Sequence, residues 1–450
     1  MSQTTLTAPE NRAPDGAVRK LLSYRWLVFS ILAVAYLMVY FHRVSTAVVA
    51  PELVTAFAID PAALGLLGSM YFYPYAFMQI PAGIMADSIG ARKVVTVSFL
   101  FAGAGAFLFG LAPTYRYALA ARFLLSVGLA CMYIPCLRVL ANWFRRNELA
   151  TVIGIMFAVG NIGAISAAAP LALLIAGIGW RTAFKLVGLL TFVIAGLIYL
   201  YVRDKPQDMG FPSLAAFDSL PGEAVPVAPP QLPFGATVRR IVFSRDIWLF
   251  ITRGFTLYGT LMAFQGLWGG PYLMQVYHLD QSAAGSLLML ISLGCIVGGP
   301  LSGIISDRVL RSRKLVTAPA CLGIALCWLP LAFLTDRMSL AGLSLLLFAL
   351  GFFTGCSTPA TAQLQEAYPS SMTGTVVGIN NGTGVLGGAA FQVMVGVIIN
   401  RFVVSDGVYP VAGFRAAFLF CLVCAAFGAT AMFFARETLH RAIPAAPRAS

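Results

Sequence analysis

Five basic residues stand inside apolar stretches where charge is costly: Arg43, Arg122, Arg138, Lys185 and Arg253. The carboxylates of the chain fall almost entirely in polar segments or at the ends of apolar ones. A buried cation without a buried acid calls for an anion from outside to complete its charge, and a guanidinium suits the oxygens of a carboxylate or phosphate. Arg43 is the strongest of the five. It follows Trp26 by 17 residues, about 25 Å at a helical rise of about 1.5 Å, so it lies deep in a membrane-crossing helix but past the midpoint. Tyr36 and Tyr40 precede it by seven and three positions and share its helix face. The trio reads as an anion clamp, a cation between two phenols; the competing reading is an arginine snorkelling to a headgroup layer. His42 is a candidate for proton coupling, although it points about 100° round the helix from Arg43.

The elements that must hold these residues are membrane helices. Apolar residues make up 59% of the 450, charged residues 10%, and mean hydropathy is +0.84, which excludes a water-soluble protein. About 20 apolar residues cross a bilayer core. On that scale twelve spans are expected, near 26–49, 62–86, 94–112, 117–140, 149–176, 182–202, 247–277, 283–306, 315–335, 339–363, 373–400 and 412–435. The expected fold is an all-α polytopic membrane protein with twelve transmembrane helices in two six-helix pseudo-symmetric halves. No ten-residue alternation of a membrane β-barrel is present. The first apolar run is too long for a signal peptide and is read as helix 1.

With the N-terminus inside, twenty basic residues fall on that side and five on the other: Arg116, Arg181, Arg337, Arg401 and Arg415. Both termini are therefore expected in the cytoplasm, with the protein in the inner membrane. The divisions are a cytoplasmic tail 1–25, a first half 26–202, a cytoplasmic linker 203–246, a second half 247–436 and a cytoplasmic tail 437–450. The linker holds PSLAAFDSLPGEAVPVAPPQLP, a composition without helical period. Its TVRRIVFSRD end reads as an interfacial helix or a plain tether. Basic residues spread over separate loops argue against a nucleic-acid partner. Trp26, Trp143, Trp180 and Trp248 lie near span ends as interfacial anchors. The eight cysteines and three histidines show no metal-ligand spacing, so no metal or cofactor is expected. Gly374, Gly378 and Gly382, and Gly299 with Gly303, form small-residue ridges expected to pack helices closely. The partners expected are the bilayer, a small anionic substrate, and a coupling proton or counter-anion; the protein is expected to be a monomer.

One motif occurs twice. Residues 83–93 read GIMADSIGARK and residues 303–314 read GIISDRVLRSRK, with glycine and acid each displaced by 220 positions. It resembles the loop signature of the major facilitator superfamily, G-x-x-x-D-R-x-G-R-R/K. The resemblance implies a transporter that exposes its cavity to each side in turn, with a cytoplasmic gate at Gly83, Asp87, Gly90, Arg92, Gly303, Asp307, Arg308 and Arg313. The first copy lacks signature arginines at Ser88 and Ala91, and the second has Leu310 for Gly. Asp87 is expected to matter more, because its copy keeps the turn-forming Gly90.

The segment YFHRVSTAVVAPEL resembles helix 1 of the anion:cation symporter and organophosphate:phosphate antiporter branches, which implies that Arg43 contacts the substrate's carboxylate or phosphate. RFLLSVG is similar to the helix-4 pattern R-x-x-x-G-x-G, with Ser126 for the first Gly; Arg122 then either assists the site or bonds neighbouring carbonyls. The stretch from Pro135 through Arg138 to Trp143 looks like organophosphate antiporters, but their helix-7 arginine aligns with Met262. Where proton-driven symporters carry Asp and Glu, this chain has His42 and the neutral Ala130 and Cys131. The resemblance further implies a cavity lined by helices 1, 4, 7 and 10, with Tyr133, Tyr258, Gln265, Trp268, Asn161, Thr354, Asn380 and Asn381 as candidates. Gln265 and Trp268, three apart, are expected to meet the substrate together; the asparagines serve substrate contact or helix packing. Tyr71, Phe72, Tyr73 and Tyr75 are read as packing residues. The function expected is uptake of a small organic anion such as a carboxylate, sugar acid or amino acid. A proton-driven exporter or an organophosphate antiporter is the alternative, and an enzyme is not expected.

Overall fold

Helices account for nearly all of the described residues, because a backbone in lipid must satisfy its own hydrogen bonds. The computed structural model describes residues 15–144, 146–210, 234–369, 372–403 and 408–439. In chain order the helices are α1 Asp15–Phe57, α2 Pro61–Ser69, α3 Phe72–Ile89, α4 Ala91–Leu111, α5 Tyr115–Ala130, α6 Tyr133–Trp143, α7 Arg146–Ser166, α8 Ala169–Tyr201 and α9 Phe234–Val242. After these come α10 Arg245–Val276, α11 Gln281–Ile304, α12 Lys314–Phe333, α13 Leu340–Cys356, α14 Pro359–Glu366, α15 Thr373–Asn400 and α16 Val411–Phe433. Ten stretches among the described residues are long and apolar enough to cross a membrane. The protein is a multi-pass all-α membrane protein.

Several spans differ from the expected ones for local reasons. α1 starts eleven residues before Trp26, since Arg25 pairs with Glu148 at 2.7 Å and the Tyr24 hydroxyl donates to the Tyr201 carbonyl, tying its first turns to the bundle. The 62–86 span is interrupted at Met70–Tyr71, the 117–140 span at Cys131–Met132, and the 339–363 span at Ser357–Thr358 just ahead of Pro359. The left-handed φ of 75° at Gly179 turns the chain within α8. In α10 two π turns, Gly254–Tyr258 and Phe264–Trp268, widen the helix. Asp60, Asp280 and Ser339 cap helix N-termini through their side chains.

Close packing uses other glycines than the ones singled out by spacing. Gly294 and Gly298 of α11 meet the backbone of Phe348 and Phe352 in α13, and Gly351 and Gly355 answer against Ile291 and Cys295. Gly299, Gly303, Gly378 and Gly382 have nothing within 4 Å of a would-be Cβ, and the packing of Gly374 lies outside the described residues. Two glycine rows of like spacing share α11, and spacing cannot tell which row turns inward.

The first eight helices meet the later ones chiefly at one end. There a Cβ on Gly65 would stand 2.7 Å from the Gln392 carbonyl, one on Gly396 2.6 Å from that of Pro61, and one on Gly285 2.8 Å from the Ala169 nitrogen. Gln281 donates to the Val48 carbonyl at 2.6 Å and to Glu52 at 2.9 Å. Toward the opposite end, which carries Gly90 and Arg313, a Cβ on Gly154 of α7 or on Gly299, Gly303, Gly378 and Gly382 would meet nothing within 4 Å.

Candidate functional site

Arg43 lies in an aromatic enclosure. Its guanidinium carbon sits 4.4 Å over the Tyr40 ring and 5.8 Å from that of Tyr75, within range of cation–π attraction. Tyr71 donates its hydroxyl proton to the Val39 carbonyl at 2.9 Å and leaves its oxygen toward Arg43, and Tyr258 of α10 reaches the same cation from across the molecule. Behind them Tyr36 packs on Tyr40, Tyr133 and Phe157 with ring centroids 5.3, 5.9 and 5.7 Å apart. Among the described residues no carboxylate pairs with Arg43, and its Nε is buried without a hydrogen-bond partner. A guanidinium with unspent donors, ringed by phenols that can also donate, is chemically an anion site.

The structure thus brings Arg43, Tyr36, Tyr40, Tyr133 and Tyr258 together. It adds Tyr71 and Tyr75, which were read as packing. The signal was present in the four-residue spacing of that pair, but nothing in the spacing showed that this face of the α2–α3 region turns toward α1. Gln79, one turn beyond Tyr75 and also missed, is buried with its Nε2 unpartnered.

Other candidates go elsewhere. Arg122 is 1% exposed and donates to the His42 carbonyl at 3.0 Å and to the Thr46 hydroxyl, with Tyr71 and Phe109 rings beside it. It fastens α5 to α1. His42 is fully buried against Phe41 and Phe184, away from the Arg43 enclosure. Gln265 and Trp268 diverge: Gln265 donates to Ser292 of α11 at 3.0 Å, while the Trp268 indole donates to the Gln392 carbonyl of α15 at 2.9 Å. The π turn that contains both accounts for this, because its wider pitch removes the three-residue register of an α-helix. Asn161 and Thr354 return to their own helices at Phe157 and Leu350. Asn380 is half-buried with Oδ1 unpartnered beside Gly254, and Asn381 is exposed.

The two loop motifs draw partners from far along the chain, and the second also pairs its own acid with Arg313. In the first, Gly90 takes a φ of 92°, the Asp204 carboxylate accepts the Arg92 backbone N–H at 2.6 Å, and the Arg92 side chain donates to the Tyr199 carbonyl at 3.0 Å. The surroundings of Gly83 and the side chain of Asp87 lie outside what the structure describes. In the second, Arg313 holds Asp307, bonds Glu366 at 3.0 Å and Ser306 at 3.1 Å; Arg308 is exposed. Glu437 caps α12 through the backbone N–H groups of Arg313 at 3.0 Å and Lys314 at 3.1 Å and accepts from Ser312. Burial pushes the Glu437 carboxyl up, but the Ser312 hydroxyl and three backbone N–H groups outweigh it and hold it below the usual carboxylate range. Helix capping therefore falls to Asp204 and Glu437, which the sequence reading had left to the linker and the tail. An Arg-acid pair, Arg203-Asp204 and Arg436-Glu437, closes each half and was the overlooked signal.

Among the described residues no three His, Cys, Asp or Glu side chains gather as metal ligands. Residues 32–392 match the Major Facilitator Superfamily. A probable sulfoacetate transporter, SauU of Cupriavidus necator, is 25% identical over 408 residues, 88% of this chain and 92% of its own. A probable hexose phosphate transport protein of Chlamydia trachomatis is 24% identical over 67% of this chain and 68% of its own. The fold is shared with an inward-facing, unoccupied bacterial homologue of the human lysosomal transporter Spinster, at a TM-score of 0.73 and 19% identity over 92% of this chain and 97% of that one.

Proposed function

The chain belongs to the Major Facilitator Superfamily, and from that membership we propose a secondary transporter that carries a small organic anion, with Arg43 as its anion-binding group. Members of this family are transporters rather than enzymes. The observation that carries the substrate reading is Arg43, without a carboxylate partner among the described residues, amid Tyr40, Tyr71, Tyr75 and Tyr258. The relatives' printed substrates, sulfoacetate and hexose phosphate, are both organic anions. A single guanidinium, with Met262 at the place that aligns with the second arginine of organophosphate antiporters, suits a carboxylate or sulfonate, including a sugar acid or amino acid, better than a phosphate dianion.

Twelve spans in two six-helix halves follow if the kink at Gly179 divides the Val152–Tyr201 stretch and α2 with α3 forms one interrupted crossing. With both termini in the cytoplasm, by the excess of basic residues there, the closely packed end faces outward. The Arg313 network and its counterpart at Arg92 then belong to the cytoplasmic gate, and the Gln281–Glu52 contact to the closed outer gate. Alternating access would part the second as the first closes, with ion coupling through a group other than the enclosed His42.

A thermal-shift screen of the purified protein against carboxylates, sulfonates, sugar acids, amino acids, organophosphates and neutral sugars tests the reading, since a ligand of the folded state raises its apparent stability. One anion class should stabilise the wild type and not Arg43→Gln. Equal stabilisation of both proteins by neutral or cationic compounds would overturn it.

A further inference from the structure

The segment that joins α9 to α10 presents a surface unrelated to the anion pocket. Ile241, Ile247 and Phe250 are buried and hold it on the bundle. Phe243 is 82% exposed and Trp248 53% exposed, and the neighbouring Val242 is also turned outward. The Trp248 indole donates to the Val242 carbonyl at 2.8 Å, which locks the ring beside the turn. Arg239, Arg240 and Arg245 are exposed on the same short stretch, and none has an acid partner among the described residues. Asp246, next to Arg245 in the chain, is already turned to Arg436 at 3.8 Å.

Trp248 stands at the first turn of a membrane-crossing helix, so its level is that of the bilayer surface. Exposed rings at that level enter the acyl–headgroup boundary, and three unpaired guanidiniums beside them then meet the phosphates. A soluble anion would satisfy the arginines but leave the rings in water. We propose that Arg239, Arg240 and Arg245, with Phe243 and Trp248, form a docking site for anionic phospholipid that anchors the start of α10. Because α10 also carries Tyr258, lipid charge bears on the helix that reaches the Arg43 enclosure. The site itself does not depend on which substrate is carried.

Tryptophan quenching tests this directly. The full-length protein is titrated in mixed micelles with brominated phosphatidylglycerol or brominated phosphatidylcholine, and the Trp248 contribution is isolated by difference from Trp248→Phe. Trp248 should be quenched at a mole fraction about tenfold lower for the anionic lipid, and the preference should fade at high salt. Combined Arg239→Gln, Arg240→Gln and Arg245→Gln should bring the two lipids level while quenching by phosphatidylcholine and the melting temperature stay unchanged. Equal quenching of the wild type by both lipids overturns the proposal, as does no quenching by either. A preference that survives high salt or the triple substitution overturns it too.

Discussion

Arg122 and Arg43 are both arginines inside the bundle, and Tyr71 lies beside both. Arg122 donates through Nη2 to the His42 carbonyl and the Thr46 hydroxyl and is sealed from solvent. Arg43 is part-buried among aromatic rings and phenol oxygens, and each of the two leaves its Nε without a partner. What separates a structural cation from a functional one here is what the guanidinium faces: acceptors of a neighbouring helix for Arg122, a partly open ring of phenols for Arg43.

The contrast is broken most forcefully at the arginine that bonds α1. Arg122→Ala should lower stability by about 2–4 kcal/mol, through lost packing and stranded acceptors, visible as a fall in melting temperature whether or not ligand is present. If instead the fold is unchanged and only ligand binding is lost, the two arginines have been assigned in reverse. Arg43→Gln should show the opposite pattern, with affinity for the anion reduced about 100-fold, near 2.7 kcal/mol, and the ligand-free melting temperature kept.

Single phenols sharpen the picture further. Tyr75→Phe should weaken anion binding by up to about tenfold without altering stability in the absence of ligand, since the ring remains and only a donor is lost. A loss as large as that of Arg43→Gln would make Tyr75 an equal partner in the clamp rather than a helper. The smallest effect is expected outside the membrane. Glu437 has its folded pKa held below the ordinary value of 4.5, so its cap on α12 contributes fully above that value and is lost as pH falls through the depressed one. Glu437→Gln should flatten a modest acid-side decline in melting temperature, and an unaltered pH profile would deny the cap its role.

Much of the pocket was legible because it lies on one helix. Tyr36, Tyr40 and Arg43 share a face by α-helical spacing, and that spacing holds in α1. It failed for Gln265 and Trp268, where a π turn changes the pitch, and for the glycine rows, where two faces carry the same repeat. Tyr71 and Tyr75 were passed over because a tyrosine-rich span looks alike whether it packs, anchors or binds. Asp204 and Glu437 were passed over because a helix cap made by a residue far along the chain leaves no local period.

Hydropathy, charge asymmetry and the repeated loop motif determined by themselves that this is a multi-pass helical transporter of a recognisable superfamily, since the cost of placing each residue in lipid is local and sums along the chain. Which arginine bonds a neighbouring helix and which faces the phenols, which glycines carry the packing and at which end the first helices press on the later ones were decided only by the tertiary structure. Those properties belong to pairs of helices, and helical periodicity names a face without naming its neighbour.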